Sequence, residues 1–430
     1  MRRDAGPPSA SASSGLQEKQ DATNAGARPS GSAVNAAGSG SRTMRGAVVS
    51  ALGYNAEVRA ILSNAAQAGV NISIAKSGYM PTLESSAGIG TGQGQDYQIS
   101  LTQPLYDFGQ TSAKVSRAEA GRDVVTAELK EAREKAALEA AQSYIAVQRA
   151  NALVAIAKEN ITIIKHFEGL AKVRAEGGVA DISEQELAGV HLGDAESTLR
   201  EEEGLLRAAE SAFYAKIGMV PGKLAAAPDL RLKISDIGQV DVAAGEAPAV
   251  DVAKAREQEA VHAVSAEKAS LYPVVSAEAY HRGGDSGSNS GSGVGLRIKG
   301  PSLNGLANFQ RVEAMTYAAQ SARWGAEAAK RNASAQVKEF IDREPTLSSQ
   351  ITILAAQLVR ARKLRDLYED QFKLGERKLI DLITVQSDIV RNQRSGVNAR
   401  HDILALQYSA VGALGKLQED LGISSGETQR

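Results

Sequence analysis

Apolar and polar residues follow two different periods along this chain, and the switches between them mark its elements. Residues 83–91 and 97–103 alternate larger apolar with small or polar side chains, the period of a half-buried strand. Leu83, Ala87 and Ile89 share one face of the first run; Tyr97, Ile99 and Leu101 share one face of the second. Gly92, Gly94 and Gln95 supply a turn, so the pair reads as a hairpin. A second pair, 274–281 and 294–299, alternates in the same way around a polar, glycine-rich connection, with Val275, Ala277 and Ala279 on one face and Val294, Leu296 and Ile298 on another.

The remaining segments carry the helical period. Helices are predicted over Ala47–Ser77, from Thr111 to about Ala175, over Ile182–Ile217 and Ala249–Ser270, from Gly305 to Leu374, and from Asp381 to about Lys416. In the first long one, Leu129, Ala132, Ala136, Leu138, Tyr144 and Val147 form apolar stripes beside the charged run Glu128, Lys130, Glu131, Arg133, Glu134 and Lys135. Gly177-Gly178 stops that helix, and Pro345 is expected to kink or break the other long one.

The chain thus repeats itself. Residues 46–222 form a first structural repeat, 223–248 a loop-like equatorial linker and 249–417 a second repeat, while 1–45 and 418–430 read as disordered. Leu271-Tyr272-Pro273 echoes Gly78-Tyr79-Met80-Pro81 ahead of each strand pair. At 1.5 Å per residue, the long helix of the first half spans roughly 100 Å and the two short ones roughly 45 and 55 Å. The second half gives about 105 Å against roughly 35 and 55 Å. Each half is expected to be a long helix antiparallel to a broken one, with a two-stranded ribbon at one end and a tight turn at the other. Such ribbons have bare edges and must find partner strands.

Composition narrows the chemistry. The 430 residues are 43% hydrophobic but only 4% aromatic, which suits long helices packed by small side chains better than a thick globular core. With 49 basic and 50 acidic residues there is no electrostatic reason for a nucleic-acid partner, and without cysteine there are no disulfides, thiolate metal sites or cysteine nucleophiles. His166, His191, His262, His281 and His401 are scattered without ligand spacing. Gly88, Gly90, Gly92 and Gly94 precede a strand rather than a helix, so they make no phosphate loop. No nucleophile elbow is present, and the expectation is a non-enzyme without cofactor or metal. No apolar run reaches the length of a signal-peptide core or a membrane-spanning helix, whereas each strand has about the length a tilted strand needs to cross a bilayer.

Gln103-Pro104-Leu105-Tyr106-Asp107-Phe108-Gly109 and the stretch Tyr368–Leu382 (YEDQFKLGERKLIDL) resemble the TolC family of outer-membrane channel proteins, the second motif most closely the members that serve type I protein secretion. The resemblance covers roughly Gly46–Leu417. It implies a mainly α fold with a small β part: a homotrimer in which each subunit gives four strands to a twelve-stranded β-barrel, continued by an α-helical barrel. It also implies the outer membrane of a Gram-negative bacterium with a periplasmic extension, a periplasmic adaptor (membrane fusion protein), an inner-membrane ABC or proton-driven transporter, and contact with outer-membrane lipid. Twelve strands enclose a usable lumen where four cannot, with Leu83, Ile89, Val275 and Leu296 placed to face lipid.

The resemblance also places a gate at the periplasmic helix tips. Arg377 falls on the family's gate arginine, Asp381 on the outer aspartate of its constriction and Phe372 where a gate tyrosine can sit, and Thr384 replaces a second aspartate. In the first half, Ser183 and Glu184 fall where the partner hydroxyl and acid occur, and Gly177, Gly178 and Gly375 mark adaptor-docking turns. Asp381 reads equally as a helix N-cap, and Arg377 as a solvated tip charge. A drug exporter of the same architecture shares these features; a soluble coiled-coil scaffold shares the helices but does not need the paired ribbons.

Overall fold

Both periods materialise as the elements they predict, in the predicted order. The computed structural model describes residues 42–90, 94–178, 181–230, 232, 237–284, 290–301 and 307–423. The expected disorder of 1–41 and 424–430 and the turn residue Gly92 lie outside these. The first half runs α1 (Met44–Tyr54), α2 (Ala56–Lys76), β1 (Thr82–Gly90), β2 (Gly94–Tyr106), α3 (Gln110–Glu176) and α4 (Ile182–Ile217). The second runs α5 (Ile237–Ala244), α6 (Pro248–Ala269), β3 (Val274–Gly284), β4 (Gly291–Lys299), α7 (Ala307–Lys373) and α8 (Leu379–Ala413), before α9 (Leu417–Asp420). Both long helices have 67 residues, roughly 100 Å each. No helix among the described residues is long and apolar enough to cross a membrane.

The differences from expectation have local causes. The first helix is not continuous: Asn55 leaves the helical conformation and its side chain accepts from the Val58 N–H at 3.1 Å, capping α2. Residues 223–248 are not merely a linker, since α5 lies within them and Val240, Ala244 and Ala247 are fully buried. Order extends beyond 46 and 417, because Met44, Leu421 and Ile423 belong to the core. Pro345 interrupts nothing in the course of α7. It lies exposed on that helix, where water can take the carbonyl that its missing N–H leaves free.

The strands form one antiparallel sheet in the order β1-β2-β3-β4, so the two ribbons join through β2 and β3 and leave β1 and β4 at the edges. Register settles the faces. Leu83 pairs with Leu101, Leu101 with Ala279 and Ala279 with Val294, while Ile99 pairs with His281, Ala277 with Leu296 and Val275 with Ile298. The opposite face carries Thr82, Thr102 and Glu278 in one row and Ser86, Gln98 and Arg282 in another. There Arg297 pairs with Glu278 at 2.7 Å, and Arg282 donates to Gln98 at 2.9 Å. Leu83, Ile99, Leu101, Val294, Leu296 and Ile298 are exposed, while Ser100, Ser276 and Glu278 on the polar face are buried. That inverts the order of a water-soluble sheet. The side chain of Ile89 is outside those described.

The strand-to-helix corner explains the Tyr106-Asp107-Phe108-Gly109 motif. Phe108 and Gly109 both take positive φ, +51° and +83°, while the Asp107 carboxylate accepts from the Gly109 and Thr111 N–H groups at 3.0 and 2.7 Å. The Phe108 ring stacks on Tyr272 of the other half, and Gln110 donates to the Tyr272 carbonyl at 2.7 Å. The motif therefore turns the chain and ties the two repeats together.

The largest core lies at mid-height, where α1, α3, α4 and α8 bury Val48, Ala137, Ala140, Tyr144, Phe213 and Tyr408. The alanines Ala137 and Ala140 let helix axes approach closely there. The Tyr144 hydroxyl reaches the Arg42 and Ala225 carbonyls, and the Tyr408 hydroxyl donates to Pro228, fastening the connecting segment to the helices. Nearby, burial holds the His401 imidazole below its ordinary value of 6.5, against a partial pull upward from the Val397 carbonyl. The unfolded chain then binds a proton near pH 6.5 that the folded chain refuses until lower pH. Stability should rise with pH through that window and be lost as pH falls below it. Thermal unfolding of the native chain and His401→Gln, compared between about pH 5 and about pH 8, should show a shallower acid-side decline in the variant.

Candidate gate at the helix tips

At the far ends from the sheet, α3 turns into α4 and α7 into α8 through segments of equal length. Gly178 and Gly375 take φ of +71° and +85°, left-handed values that glycine tolerates without penalty, whereas Gly177 stays in the ordinary helical region at −76°. The second turn closes with the Glu376 N–H donating to the Gln371 carbonyl at 2.9 Å, a Schellman bond around Gly375. In the first turn, Asp181 caps α4 by accepting from the Ser183 N–H at 3.2 Å. Asp381 is no cap. Lys378 holds that position without a side-chain bond, and Asp381 sits in the first turn of α8, where a carboxylate still favours the helix dipole.

Both tips rest on one apolar cluster drawn from four helices: Ile164, Phe167 and Ala171 of α3, Ala188 of α4, Phe372 of α7, and Leu379, Leu382 and Ile383 of α8. The Phe372 ring is fully buried there. It can support the tips, but it cannot reach a neighbouring subunit from that position.

The polar groups above the cluster differ between the tips. Arg174 and Gln371 hold matching places at the ends of the long helices, as Glu184 and Asp381 do at the starts of the short ones. In the first tip, Arg174 spans the turn to Glu184 at 3.4 Å with its guanidinium 4.3 Å from the centre of the Phe372 ring. These side chains are 14% and 20% exposed. In the second tip glutamine replaces the arginine, and Arg377 spans the gap from within the turn. Its Nε donates to Gln371 at 3.1 Å, its Nη1 lies 3.6 Å from Asp381, and it sits 4.2 Å above the Tyr368 ring. Arg377 and Asp381 are 39% and 38% exposed, so solvent screens their pairing more strongly.

Of the residues singled out by sequence, the structure brings Arg377 and Asp381 together, and within one chain it gives Glu184 to Arg174. Ser183 is exposed beside Glu184. Thr384 is exposed and donates to the Ile380 carbonyl at 2.7 Å. Arg174, Gln371 and Tyr368 were missed as site residues; aligning the two helix ends on Gly178 and Gly375 would have exposed the Arg174/Gln371 difference. A further link joins the halves. Glu369 of α7 meets His166 of α3 at 3.0 Å and Lys373 at 2.8 Å. Burial pushes its carboxyl up, but these two partners outweigh that and hold it below the usual range.

An open-edged antiparallel sheet with an exposed apolar face, carried on two paired sets of long helices, is a fold shared with solved outer-membrane channels. VceC from Vibrio cholerae has this fold, with a TM-score of 0.73 at 16% identity over 86% of this chain and 96% of that one. CmeC from Campylobacter jejuni, an outer membrane channel, gives 0.74 at 14% identity over 89% and 90%. The outer membrane efflux protein BepC of Brucella suis is 22% identical over 400 residues, 88% of this chain and 87% of its own. Residues 47–219 match the model of the outer membrane efflux protein family.

Proposed function

We propose that three copies of this chain form the exit duct of a tripartite export system, a twelve-stranded barrel in the outer membrane continued by an α-helical tunnel that closes at the tips. The observation that carries this reading is the sheet: β1 and β4 are open edges, and the register lines its exposed face with Leu83, Ile99, Leu101, Val294, Leu296 and Ile298. Closure with two further copies satisfies both edges and turns that face to lipid. The polar face, with Glu278, Arg297, Gln98 and Arg282, then lines a wet lumen. A soluble scaffold has no use for an apolar sheet face turned outward.

The tips act as the gate. Three Asp381 carboxylates per trimer constrict the tunnel, with Arg377, Thr384, Ser183 and Glu184 around them and Phe372 supporting them from below. The half-exposed contacts of Arg377 are worth at most about 1 kcal/mol each, which suits a closure that a docking partner reverses. A periplasmic adaptor docks at the turns of Gly177, Gly178 and Gly375, where Val173, Ile182 and Leu374 are exposed apolar residues, and an inner-membrane ABC or proton-driven transporter feeds the tunnel. Arg377→Ser is expected to raise open-state conductance in planar bilayers and Asp381→Ala to weaken block by multivalent cations, both with the trimer intact. Unchanged opening and block in both variants would reject these roles.

The motif Tyr368–Gly375 supports a type I secreted protein as cargo, whereas the name of the Brucella relative supports efflux. A deletion strain separates them: one reading expects loss of a secreted protein, the other drug hypersensitivity.

A further inference from the structure

Below the sheet, two helices present apolar stripes that no described residue of their own chain covers. On α2, Leu62, Ala66, Val70 and Ile74 recur every four residues and are exposed; on α7, Phe309, Tyr317 and Trp324 recur at eight and seven and are exposed, Trp324 to 68%. Within one chain α2 packs on α3, and α7 packs on α6 and α8. The two stripes therefore lie on helices with different neighbours.

Topology says what should cover them. β1 is an edge strand and follows α2; β4 is the opposite edge strand and precedes α7. When β4 of one copy pairs with β1 of the next, α7 of the first must descend beside α2 of the second. Depth agrees. Measured from the sheet ends of the helices, Ile74 and Phe309 both lie roughly 3 Å down, Val70 and Tyr317 roughly 9 and 15 Å, and Leu62 and Trp324 roughly 21 and 26 Å. Each pair matches to about one helical turn.

We propose that these stripes form the helical part of the seam between subunits, with Phe309, Tyr317 and Trp324 of one copy packed on Ile74, Val70 and Leu62 of the next. This rests on the trimeric reading, but it makes a separate claim about which side chains meet. An aromatic stripe on a row of small and branched aliphatic residues is the composition of a buried interface centre. The seam carries strand closure down into the tunnel wall, below the bilayer.

The chain suits a direct test, because Trp324 is its single tryptophan and it contains no cysteine. In the detergent-solubilised full-length protein, Trp324 emission should be blue-shifted and its quenching by iodide several-fold weaker than after denaturation. Oxidation of the Leu62→Cys/Trp324→Cys variant should give a covalent trimer on denaturing gels. The control Val190→Cys/Trp324→Cys, whose first thiol lies near the α3–α4 tip, should stay monomeric. Native mass measurement distinguishes the failures. A trimer with a quencher-accessible Trp324 and no cross-link overturns the seam and leaves the channel reading standing; a monomer overturns both.

Discussion

Phe372→Ala is expected to loosen both tips together, removing about 3–5 kcal/mol of local stability. The ring is fully buried among side chains of α3, α4 and α8, so its loss leaves a cavity where the two hairpins meet. It also removes the surface on which the Arg174 guanidinium lies, and that arginine holds Glu184 across the first turn. Hydrogen exchange by mass spectrometry should show faster exchange in both turns and in the ends of all four helices, with the mid-height core unchanged. If the tips form the proposed gate, planar-bilayer recordings should also show less complete closure. Phe372→Leu keeps most of the apolar volume and should restore most of the protection, while still lacking the ring beneath Arg174. Exchange at the tips unchanged by Phe372→Ala would remove the support role given to this residue.

Two periods were enough to read the elements from sequence, because register and helical stripe are direct consequences of which face is apolar. What stayed hidden depended on contacts between residues distant along the chain. The break at Asn55 falls inside an uninterrupted apolar pattern, and only the cap to Val58 exposes it. α5 lies in a stretch rich in glycine, alanine and acidic residues, where Val240 and Ala244 pack on other elements without showing a period of their own. The tips illustrate the point most clearly. Arg377 and Asp381 were singled out because they fall in a short motif that resembles the TolC family, whereas Arg174 sits in a charged helix end and reads as another solvated cation. Its importance comes from the ring of Phe372, nearly two hundred residues later.

The two tips share a fold but not a fastening. Arg174–Glu184 is a shielded pair tied to the cluster beneath it, while Arg377–Asp381 is a half-exposed pair anchored to glutamine and a tyrosine face. On energetic grounds the second tip is the easier to open if the tips act as the proposed gate, with the first as its abutment. Such an opening would require the two halves to stay registered, which places weight on the polar ties between the helices nearer mid-height.

The tie with the most deeply buried carboxylate joins α4 to α8, and breaking it from one side is expected to be severe. Glu202 is buried, with its side chain 2% exposed, and its Oε1 lies 2.6 Å from Arg394. Its second oxygen has no hydrogen-bond partner among the described residues. Arg394→Ala leaves this carboxylate buried without a counter-ion, which costs about 3–5 kcal/mol in comparable sites; the 39% exposure of Arg394 argues for the lower end, since water can enter. Thermal unfolding of the detergent-solubilised protein should shift downward accordingly. Adding Glu202→Leu to Arg394→Met should recover most of the loss, because a well-packed apolar pair avoids desolvating either charge. A single Arg394→Ala variant as stable as the native protein would mean that water already reaches Glu202 and that the pair fastens nothing.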